Sequence, residues 1–150
     1  MDRVAVALGS NLGDRRAHLD HAVARLRSLL QDFTASRYHD TVPVGVTGPQ
    51  PIYLNAVAVG STALPPRDLL DALLAIEAER GRERPHPNAA RTLDLDLIFY
   101  GDRVIDEPGL VVPHPRFRER RFVLEPLVEA APDFRDPVTG KSARQLLGDL

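Results

Sequence analysis

Cysteine is absent from the sequence, which excludes disulfide bonds, thiolate nucleophiles and thiolate metal ligands. Its absence is consistent with the cytoplasmic location that we predict. Apolar runs approaching the ~20 residues that span a bilayer are also absent, and the first eight residues carry no export signal. We therefore expect neither a membrane protein nor an exported one.

An excess of charge of one sign is lacking as well, because 19 basic and 21 acidic residues give a formal net charge of −2. This balance argues against a nucleic-acid or membrane-surface binder. Lysine is nearly absent, since every basic residue except Lys141 is an arginine. Nine of the arginines fall between Arg80 and Arg121. A phosphate site in this region would therefore use planar guanidinium groups.

The length of 150 residues is enough for one domain with its own core, and 43% of the residues are hydrophobic. The chain has no internal repeat, linker or low-complexity tract. We therefore predict a single catalytic domain over residues 1–150. The helical stretches leave no spare apolar stripe after packing, so we expect a monomer.

Apolar periodicity divides the chain into strands and helices. Strand patterns cover residues 3–8, 33–41, 53–59 and 91–100, and helical patterns cover residues 15–31, 65–80, 116–128 and 142–147. This order predicts an α+β fold, the ferredoxin-like βαββαβ sandwich, in which an antiparallel sheet has helices on one face. We expect an extra hairpin strand at 103–105 and C-terminal helices, with the other face of the sheet open for a ligand.

Two aspartates stand two residues apart on the last strand of that pattern. Side chains with this spacing point to the same face, roughly 6–7 Å apart. Asp94 and Asp96 therefore share one face, and Leu93, Leu95 and Leu97 share the other. Neighbouring carboxylates repel each other unless a cation lies between them. An exposed acidic face is the plain alternative, and the Asp-x-Asp pattern alone favours it.

A tyrosine and an asparagine have the same spacing on the strand at 53–59. Tyr53 and Asn55 are predicted to share one face, opposite Leu54 and Ala56. The ring can stack on a flat heterocycle, and the amide can form hydrogen bonds with the edge of that heterocycle. An exposed sheet surface would explain the same pair, so both interpretations stay open.

Two loops adjoin these strands. Residues 41–51 contain three prolines and two glycines and form the main irregular loop. Residues 82–90 are polar, rich in arginine and interrupted by Pro85 and Pro87. A basic loop beside paired acids is typical of a lid that closes on a metal-bound polyphosphate.

The turn at residues 9–14 follows the first strand. It is not a phosphate-binding P-loop, because no Lys-Ser or Lys-Thr pair follows its glycines. We interpret it as a structural link between strand and helix, with Asn11 or Asp14 as the helix cap.

Six segments together carry a family resemblance. They are LGSNLGDR at 8–15, TVPVG at 41–45, QPIYLNAV at 50–57, IEAERGRER at 76–84, ARTLDLDLIFYG at 90–101 and VPHPRFRERRFVLEPL at 112–127. In this order the chain resembles the 6-hydroxymethyl-7,8-dihydropterin pyrophosphokinase family of folate biosynthesis. The resemblance implies transfer of the β,γ-pyrophosphoryl group of ATP to the dihydropterin hydroxymethyl group, with release of AMP. It also implies two Mg²⁺ ions, with ATP and hydroxymethyldihydropterin as the small-molecule partners.

The resemblance further implies roles for individual residues. Asp94 and Asp96 match the two metal-binding acids and, with Arg82 and Arg91, the catalytic groups. The residues that match pterin-binding positions are Thr41, Pro43, Val44, Gly45, Tyr53, Asn55 and Phe122. Those that match ATP-binding positions are Glu77, Arg84, Arg91, Leu97, His114 and Arg120.

The chain departs from the family pattern in its arginine-rich loop. Pro87 stands where a basic residue is common, and Pro115 stands where an aromatic residue can follow the histidine. These departures concern the grip on ATP and the closure of the loop. They do not affect the metal or pterin positions.

The chemistry of pyrophosphoryl transfer agrees with this set of residues. Mg²⁺ prefers carboxylate, phosphate and water oxygens, and arginines can stabilise the charge that develops on the leaving AMP. The residues do not identify a general base. Our hypothesis is that the substrate hydroxyl loses its proton locally, assisted by Asp96.

Two other functions were weighed against this one. The first is a ferredoxin-like binding module without turnover, in which the acids form a solvated face. The second is a two-metal nucleotidyl transferase, whose sheet can also carry paired acids. The net charge and the lack of a broad basic surface argue against the second.

Overall fold

The computed structural model describes residues 1–41, 52–81 and 92–150. Its main sheet contains β1 (Asp2–Ser10), β2 (Gln31–Ala35), β3 (His39–Thr41), β4 (Tyr53–Thr62) and β5 (Asp94–Tyr100). The strand order is β2–β4–β1–β5, and β3 pairs with β4 on the same side as β2. All of these pairings are antiparallel. The predicted extended stretch at 33–41 is thus divided between β2 and β3.

Two helices join the strands, namely α1 (Arg15–Leu29) and α2 (Pro66–Glu79). Asp14 is the cap of α1, because its Oδ1 accepts a hydrogen bond of 3.1 Å from the Ala17 N–H. Beyond the end of α2, Gly81 has a φ of +74°, which glycine adopts without strain. When β2 and β3 are counted as one divided strand, the order is βαββαβ, which confirms the predicted ferredoxin-like arrangement.

The first face of the sheet is covered by α1 and α2. Alternate residues of the strands point toward these helices, and both helices present apolar side chains at helical spacing. The buried strand residues that form this core are Val4, Val6, Leu8, Leu54, Ala56, Ala58, Leu95 and Leu97, and Leu93 joins them from just before β5. The buried helix residues are Leu19, Ala22, Leu26, Leu69, Leu73 and Ile76.

The chain beyond β5 forms a hairpin and two helices. The hairpin strands are β6 (Ile105–Glu107) and β7 (Leu110–Val112), and the helices are α3 (Arg121–Ala130) and α4 (Ala143–Gly148). The hairpin strand expected at 103–105 begins instead at Ile105. A turn after β5, in which Gly101 has a φ of +57°, occupies the preceding residues.

The second face of the sheet is not fully open, which corrects the sequence-based expectation. The helices α3 and α4 pack on part of it and bury a second core. Its strand residues are Ala5, Val57, Val59, Ile98 and Phe99, and its C-terminal residues include Phe117, Val123, Leu124, Leu127, Ala143 and Leu146. The periodicity of α3 predicted an apolar side but not the surface on which that side packs.

An irregularity in β5 contributes to this second core. Ala5 pairs with Phe99 and the next residue, Val6, pairs with Leu97, so Ile98 is an extra residue in the ladder. Ile98 and Phe99 therefore both enter the second core. The Ile98 carbonyl accepts a hydrogen bond of 3.0 Å from the His114 N–H. This bond joins the chain after the hairpin to β5.

A buried ion pair holds the segment before α3. The Asp136 side chain has no exposed surface and accepts hydrogen bonds of 2.7 and 2.9 Å from the Arg118 guanidinium. Thr139 Oγ1 and the Val138 N–H also donate to this carboxylate.

None of the helices in the described parts of the chain has the length and apolarity needed to cross a bilayer.

Candidate active site

The register of the sheet places the two predicted polar pairs on the same face. Asn55 of β4 and Asp94 of β5 both pair with Gly9 of β1, so the three residues form one row. Residues paired across strands point to the same face. Neighbouring strands lie about 4.8 Å apart, which puts the Asn55 and Asp94 backbones roughly 10 Å apart. This row lies outside the second core.

The acidic pair has the predicted geometry. Asp94 and Asp96 are partly exposed on β5, whereas Leu93, Leu95 and Leu97 are buried at 0–6% exposure under α1 and α2. The carboxylates therefore point to the face opposite the first core. Alternation along a strand is sufficient to explain this arrangement.

Glu77 supports the strand that carries these aspartates. Its side chain is buried at 2% exposure, and its Oε2 accepts a hydrogen bond of 2.7 Å from the Leu95 N–H. The Glu77 carboxylate is therefore bonded to the backbone of Leu95, the residue between the two aspartates. Helical spacing would place Arg80, three residues further along, beside Glu77. The Arg80 Nε instead donates to His18 Nδ1 at 2.9 Å.

Leu97 was matched to a position beside the nucleoside. Its side chain is 6% exposed and belongs to the first core, away from the aspartate face. A contact with ATP would therefore fall to its backbone.

The pterin candidates on β3 and β4 lie next to each other. Thr41 pairs with Tyr53 in the β3–β4 ladder, and Tyr53 is partly exposed. Asn55 is 7% exposed, and its Nδ2 donates a hydrogen bond to Thr41 Oγ1. One side of the amide is thereby fixed. Three further candidates, Pro43, Val44 and Gly45, lie outside the described residues.

Arg15, to which no sequence pattern assigns a role, connects the two chain segments next to residues 42–51. The Nη1 atom of Arg15 donates at 2.6 Å to the Ile52 carbonyl and at 3.3 Å to Asp40 Oδ1. Arg15 is the last residue of the LGSNLGDR segment, and its place in that segment is the signal that could have indicated it.

Glu129 is a second supporting residue that the sequence did not indicate. This α3 residue lies 2.5 Å from His39 Nε2 and accepts hydrogen bonds from the backbone and guanidinium of Arg37. Burial alone would raise the pKa of Glu129, but Arg37 and His39 hold that pKa below its usual value. The edge strand β3 is thus attached to α3.

His114 and Arg120 border the aspartate side of the site. Burial, together with the guanidinium groups of Arg120 and Arg116, holds the pKa of His114 below its ordinary value, while Asp94 opposes that shift. The Arg116 N–H donates to His114 Nδ1 at 3.2 Å. The guanidinium carbon of Arg120 lies 5.5 Å from the ring centroid of Phe122, the remaining pterin candidate.

Several of the described arginines between Arg80 and Arg121 have partners within the protein. Arg118 and Arg121 form ion pairs with Asp136 and Glu125, and Arg103 lies 4.0 Å from Asp2. Arg80 binds His18 and Arg116 lies 3.7 Å from Glu119. The candidates Arg82, Arg84 and Arg91 lie outside the described residues.

The described residues contain no cluster of three or more His, Cys, Asp or Glu side chains suited to a metal ion. Two adjacent carboxylates fit a cation that takes its other ligands from water and phosphate, which is how Mg²⁺ is usually bound beside nucleotides. The donor set of Asp94 and Asp96 is therefore compatible with Mg²⁺ in the presence of a polyphosphate.

Comparison with known proteins identifies the family of the chain. Residues 5–132 match the family model described as 7,8-dihydro-6-hydroxymethylpterin-pyrophosphokinase (HPPK). The chain is 43% identical, over 95% of its length and 73% of the relative, to the 2-amino-4-hydroxy-6-hydroxymethyldihydropteridine pyrophosphokinase of Synechocystis. It is 42% identical to the enzyme of that name from Pseudomonas aeruginosa, over 98% of the chain and 91% of the relative.

Fused relatives and a solved structure agree with this match. The folate synthesis bifunctional protein of Arabidopsis thaliana is 42% identical over 85% of this chain, which spans 27% of that protein. The crystal structure of Plasmodium falciparum HPPK-DHPS has a TM-score of 0.76 at 14% identity, over 99% of this chain and 44% of the other. The fold is therefore shared. The chain belongs to the 7,8-dihydro-6-hydroxymethylpterin-pyrophosphokinase family.

Proposed function

We propose that this pyrophosphokinase binds two Mg²⁺ ions at Asp94 and Asp96. With them it transfers a pyrophosphoryl group from ATP to the hydroxymethyl group of 6-hydroxymethyl-7,8-dihydropterin, in folate synthesis. The observation that carries the proposal is the row formed by Asn55, Gly9 and Asp94. Within one row, a residue suited to a heterocycle edge and a residue suited to a metal–phosphate complex have backbones about 10 Å apart and side chains on the same face.

Asp94 and Asp96, on a strand that Glu77 holds, would bind the metal ions that contact the ATP phosphates. Bound Mg²⁺ neutralises polyphosphate charge and makes a nearby hydroxyl more acidic. Asp94 and Asp96 would hold the ions on a strand whose backbone is fixed by the hydrogen bond from Leu95 to Glu77. A rigid support matters because the attacking oxygen has to approach in line with the bond that breaks. Asp96 would assist the loss of the hydroxyl proton.

The pterin would bind on the side of β3, β4 and α3. Tyr53 and Phe122 would stack on the two faces of its ring, while Asn55 and Thr41 would bind its edge. The chain at 43–45 would complete this edge. The hydrogen bond between Asn55 and Thr41 supports the proposal, because a fixed amide discriminates better than a mobile one.

ATP would lie on the side of β5. His114 and Arg120 would contact its phosphates, since His114 lies near Asp94 and Arg120 lies near His114. Arg82, Arg84 and Arg91 would add charge from the preceding loop and stabilise the leaving AMP. Glu77 and the Leu97 backbone would border the nucleoside.

The decisive experiment is product analysis. The protein is incubated with Mg²⁺, ATP and 6-hydroxymethyl-7,8-dihydropterin, and the nucleotides are separated by ion-exchange chromatography. We expect AMP in a 1:1 ratio with pterin consumed, and loss of the reaction when EDTA removes Mg²⁺. ADP as the product, or turnover that continues in excess EDTA, would overturn the proposal. Binding of the pterin without turnover would favour the binding module instead.

The single catalytic domain, the monomeric state and the cytoplasmic location stay predictions. The large exposed apolar side chains of the described residues are Met1, Leu12, Ile52, Leu74, Val104, Val111, Val138 and Leu150. They come from separate turns, strands and helices, which supports a monomer. Light scattering at several protein concentrations measures this state directly.

A further inference from the structure

Gly9 is the middle residue of the row that joins the two halves of the site. In the sequence it stands at the start of the turn at 9–14, where only a structural role was expected. Its backbone lies within the ladder of β1, so its conformation does not require glycine. The limited space around Gly9 is what requires glycine. A Cβ atom at Gly9 would lie 3.0 Å from Asn55 Oδ1 and 3.7 Å from Tyr53 Cδ1.

The crowding is directed toward the pterin side. The three atoms nearest to such a Cβ all belong to β4, the third being the Leu54 carbonyl at 4.0 Å. Asp94 pairs with Gly9 on the other side, in β5. A methyl group at Gly9 would therefore displace the amide of Asn55 before it displaced the metal-binding strand.

The amide has little room to yield. Asn55 is 7% exposed, and its Nδ2 is held by Thr41 Oγ1. A contact of 3.0 Å requires the neighbour to move by a few tenths of an ångström. Because one end of the amide is tied to Thr41, this movement would rotate or withdraw the group that meets the heterocycle edge.

We propose that Gly9 is a positioning residue for pterin recognition. Its missing side chain leaves the space that Asn55 Oδ1 occupies, and the Asn55 amide is thereby held between Thr41 and the β1 backbone. The inference rests on the proposed function in one respect, which is that Asn55 reads the edge of the pterin. Gly9 itself does not need to contact the substrate.

The test is a double-mutant cycle on the full-length chain. Gly9→Ala, Asn55→Ala and the double variant are titrated calorimetrically with 6-hydroxymethylpterin in the presence of Mg²⁺ and a non-reactive ATP analogue. We expect Gly9→Ala to weaken pterin binding about tenfold, as for one lost hydrogen bond. In the Asn55→Ala background the same change should alter binding less than about twofold, because the crowded oxygen is gone.

Two further measurements separate positioning from general damage. The KM for ATP should stay within about twofold in Gly9→Ala, since the crowding is directed at β4. Gly148→Ala is the matched control, because among the described residues a Cβ there meets no atom within 4 Å. We expect this variant to bind and turn over like the parent.

Each remaining outcome decides the proposal. Unchanged pterin affinity in Gly9→Ala, an equal loss for pterin and ATP, or a full loss in the Asn55→Ala background would overturn it. If Gly9→Ala does not fold, Asn55→Ala must restore folding, and a double variant that also fails to fold would overturn it. A parent chain that neither binds pterin nor releases AMP would instead refute the proposed function.

Discussion

The strands β4, β1 and β5 form both ends of the second face of the sheet, but one end is buried in a core and the other carries polar groups. At one end the row is Val59, Ala5 and Phe99, and it lies in the core under α3 and α4. At the other end the row is Asn55, Gly9 and Asp94, and it lies outside that core. We name the first the covered end and the second the open end. They lie only four residues apart along β1.

The difference shows how one rigid element can serve stability and chemistry together. At the covered end, Phe99 packs with its ring centroid 4.8 Å from Phe117 and 4.7 Å from Phe134. That packing fixes the strand that continues to Asp96 and Asp94. Polar groups at the open end are therefore held by a core to which they do not contribute, as a pre-organised site requires.

The largest effect is expected at the open end, for Asp96→Ala. The kcat for AMP release should fall by at least about 10³-fold, equivalent to roughly 4 kcal/mol, because the proposed metal site loses one of its two carboxylates. Pterin affinity, measured calorimetrically, should change little. Asp106→Ala removes an exposed aspartate from β6 and is the matched control. Near-normal turnover of Asp96→Ala would contradict the metal role.

The next largest effect belongs to the covered end, for Phe99→Ala. Removal of this buried ring should lower the free energy of unfolding by about 3–5 kcal/mol in urea titrations. Val111→Ala, at a residue that is 41% exposed on β7, should cost less than about 0.5 kcal/mol. A loss below about 1 kcal/mol for Phe99→Ala would show that the covered end is not the support we describe.

A smaller effect is expected where β3 is attached to α3. Glu129→Ala removes the contacts with His39 and Arg37 and should lower the free energy of unfolding by about 1–2 kcal/mol. Glu125→Ala breaks an exposed pair with Arg121 on the same helix, at 3.4 Å, and should cost less than about 0.5 kcal/mol. Equal losses in the two variants would refute a special attachment.

The last effect is a change in the pH dependence of stability, and it concerns Asp136. Burial raises the pKa of a carboxyl group, but the hydrogen bonds from Arg118, Thr139 and the Val138 N–H hold the pKa of Asp136 below its ordinary value. A carboxylate with a depressed folded-state pKa stabilises the protein above its unfolded-state pKa, and this contribution disappears as the pH falls through the folded-state pKa.

Unfolding should therefore become easier for the parent chain as the pH is lowered below about 4, near the ordinary carboxyl pKa. Asp136→Asn has no carboxylate to protonate at this position, so its urea midpoint should change less between pH 5 and pH 3. Parallel midpoints for the two proteins over this range would exclude Asp136 as a source of the acid sensitivity.

Local patterns were sufficient to predict much of the open end. Alternation on β4 and β5 gave the shared faces of the Tyr53–Asn55 and Asp94–Asp96 pairs, because side-chain direction in a strand follows directly from spacing. The same reasoning gave the order of the first six elements. Family resemblance, rather than pattern, indicated what these residues bind.

Contacts between distant segments were not predictable in this way. The periodicity of α3 does not state which sheet face it covers, and the extra residue Ile98 interrupts the alternation of β5. Helical spacing alone would pair Glu77 with Arg80, whereas in the structure its carboxylate accepts a hydrogen bond from the Leu95 N–H, 18 positions along the chain. Such contacts depend on tertiary packing, which no local spacing encodes.

The most direct test of the proposed metal site is a count of the metal ions bound at the open end. Mn²⁺ replaces Mg²⁺, and bound ions are counted by electron paramagnetic resonance in the presence of the pterin and a non-reactive ATP analogue. We predict two ions per chain in the parent protein and at most one, held by the nucleotide phosphates, in the variant that combines Asp94→Asn and Asp96→Asn. A single ion in the parent, or two ions in the variant, would contradict the proposed two-metal site.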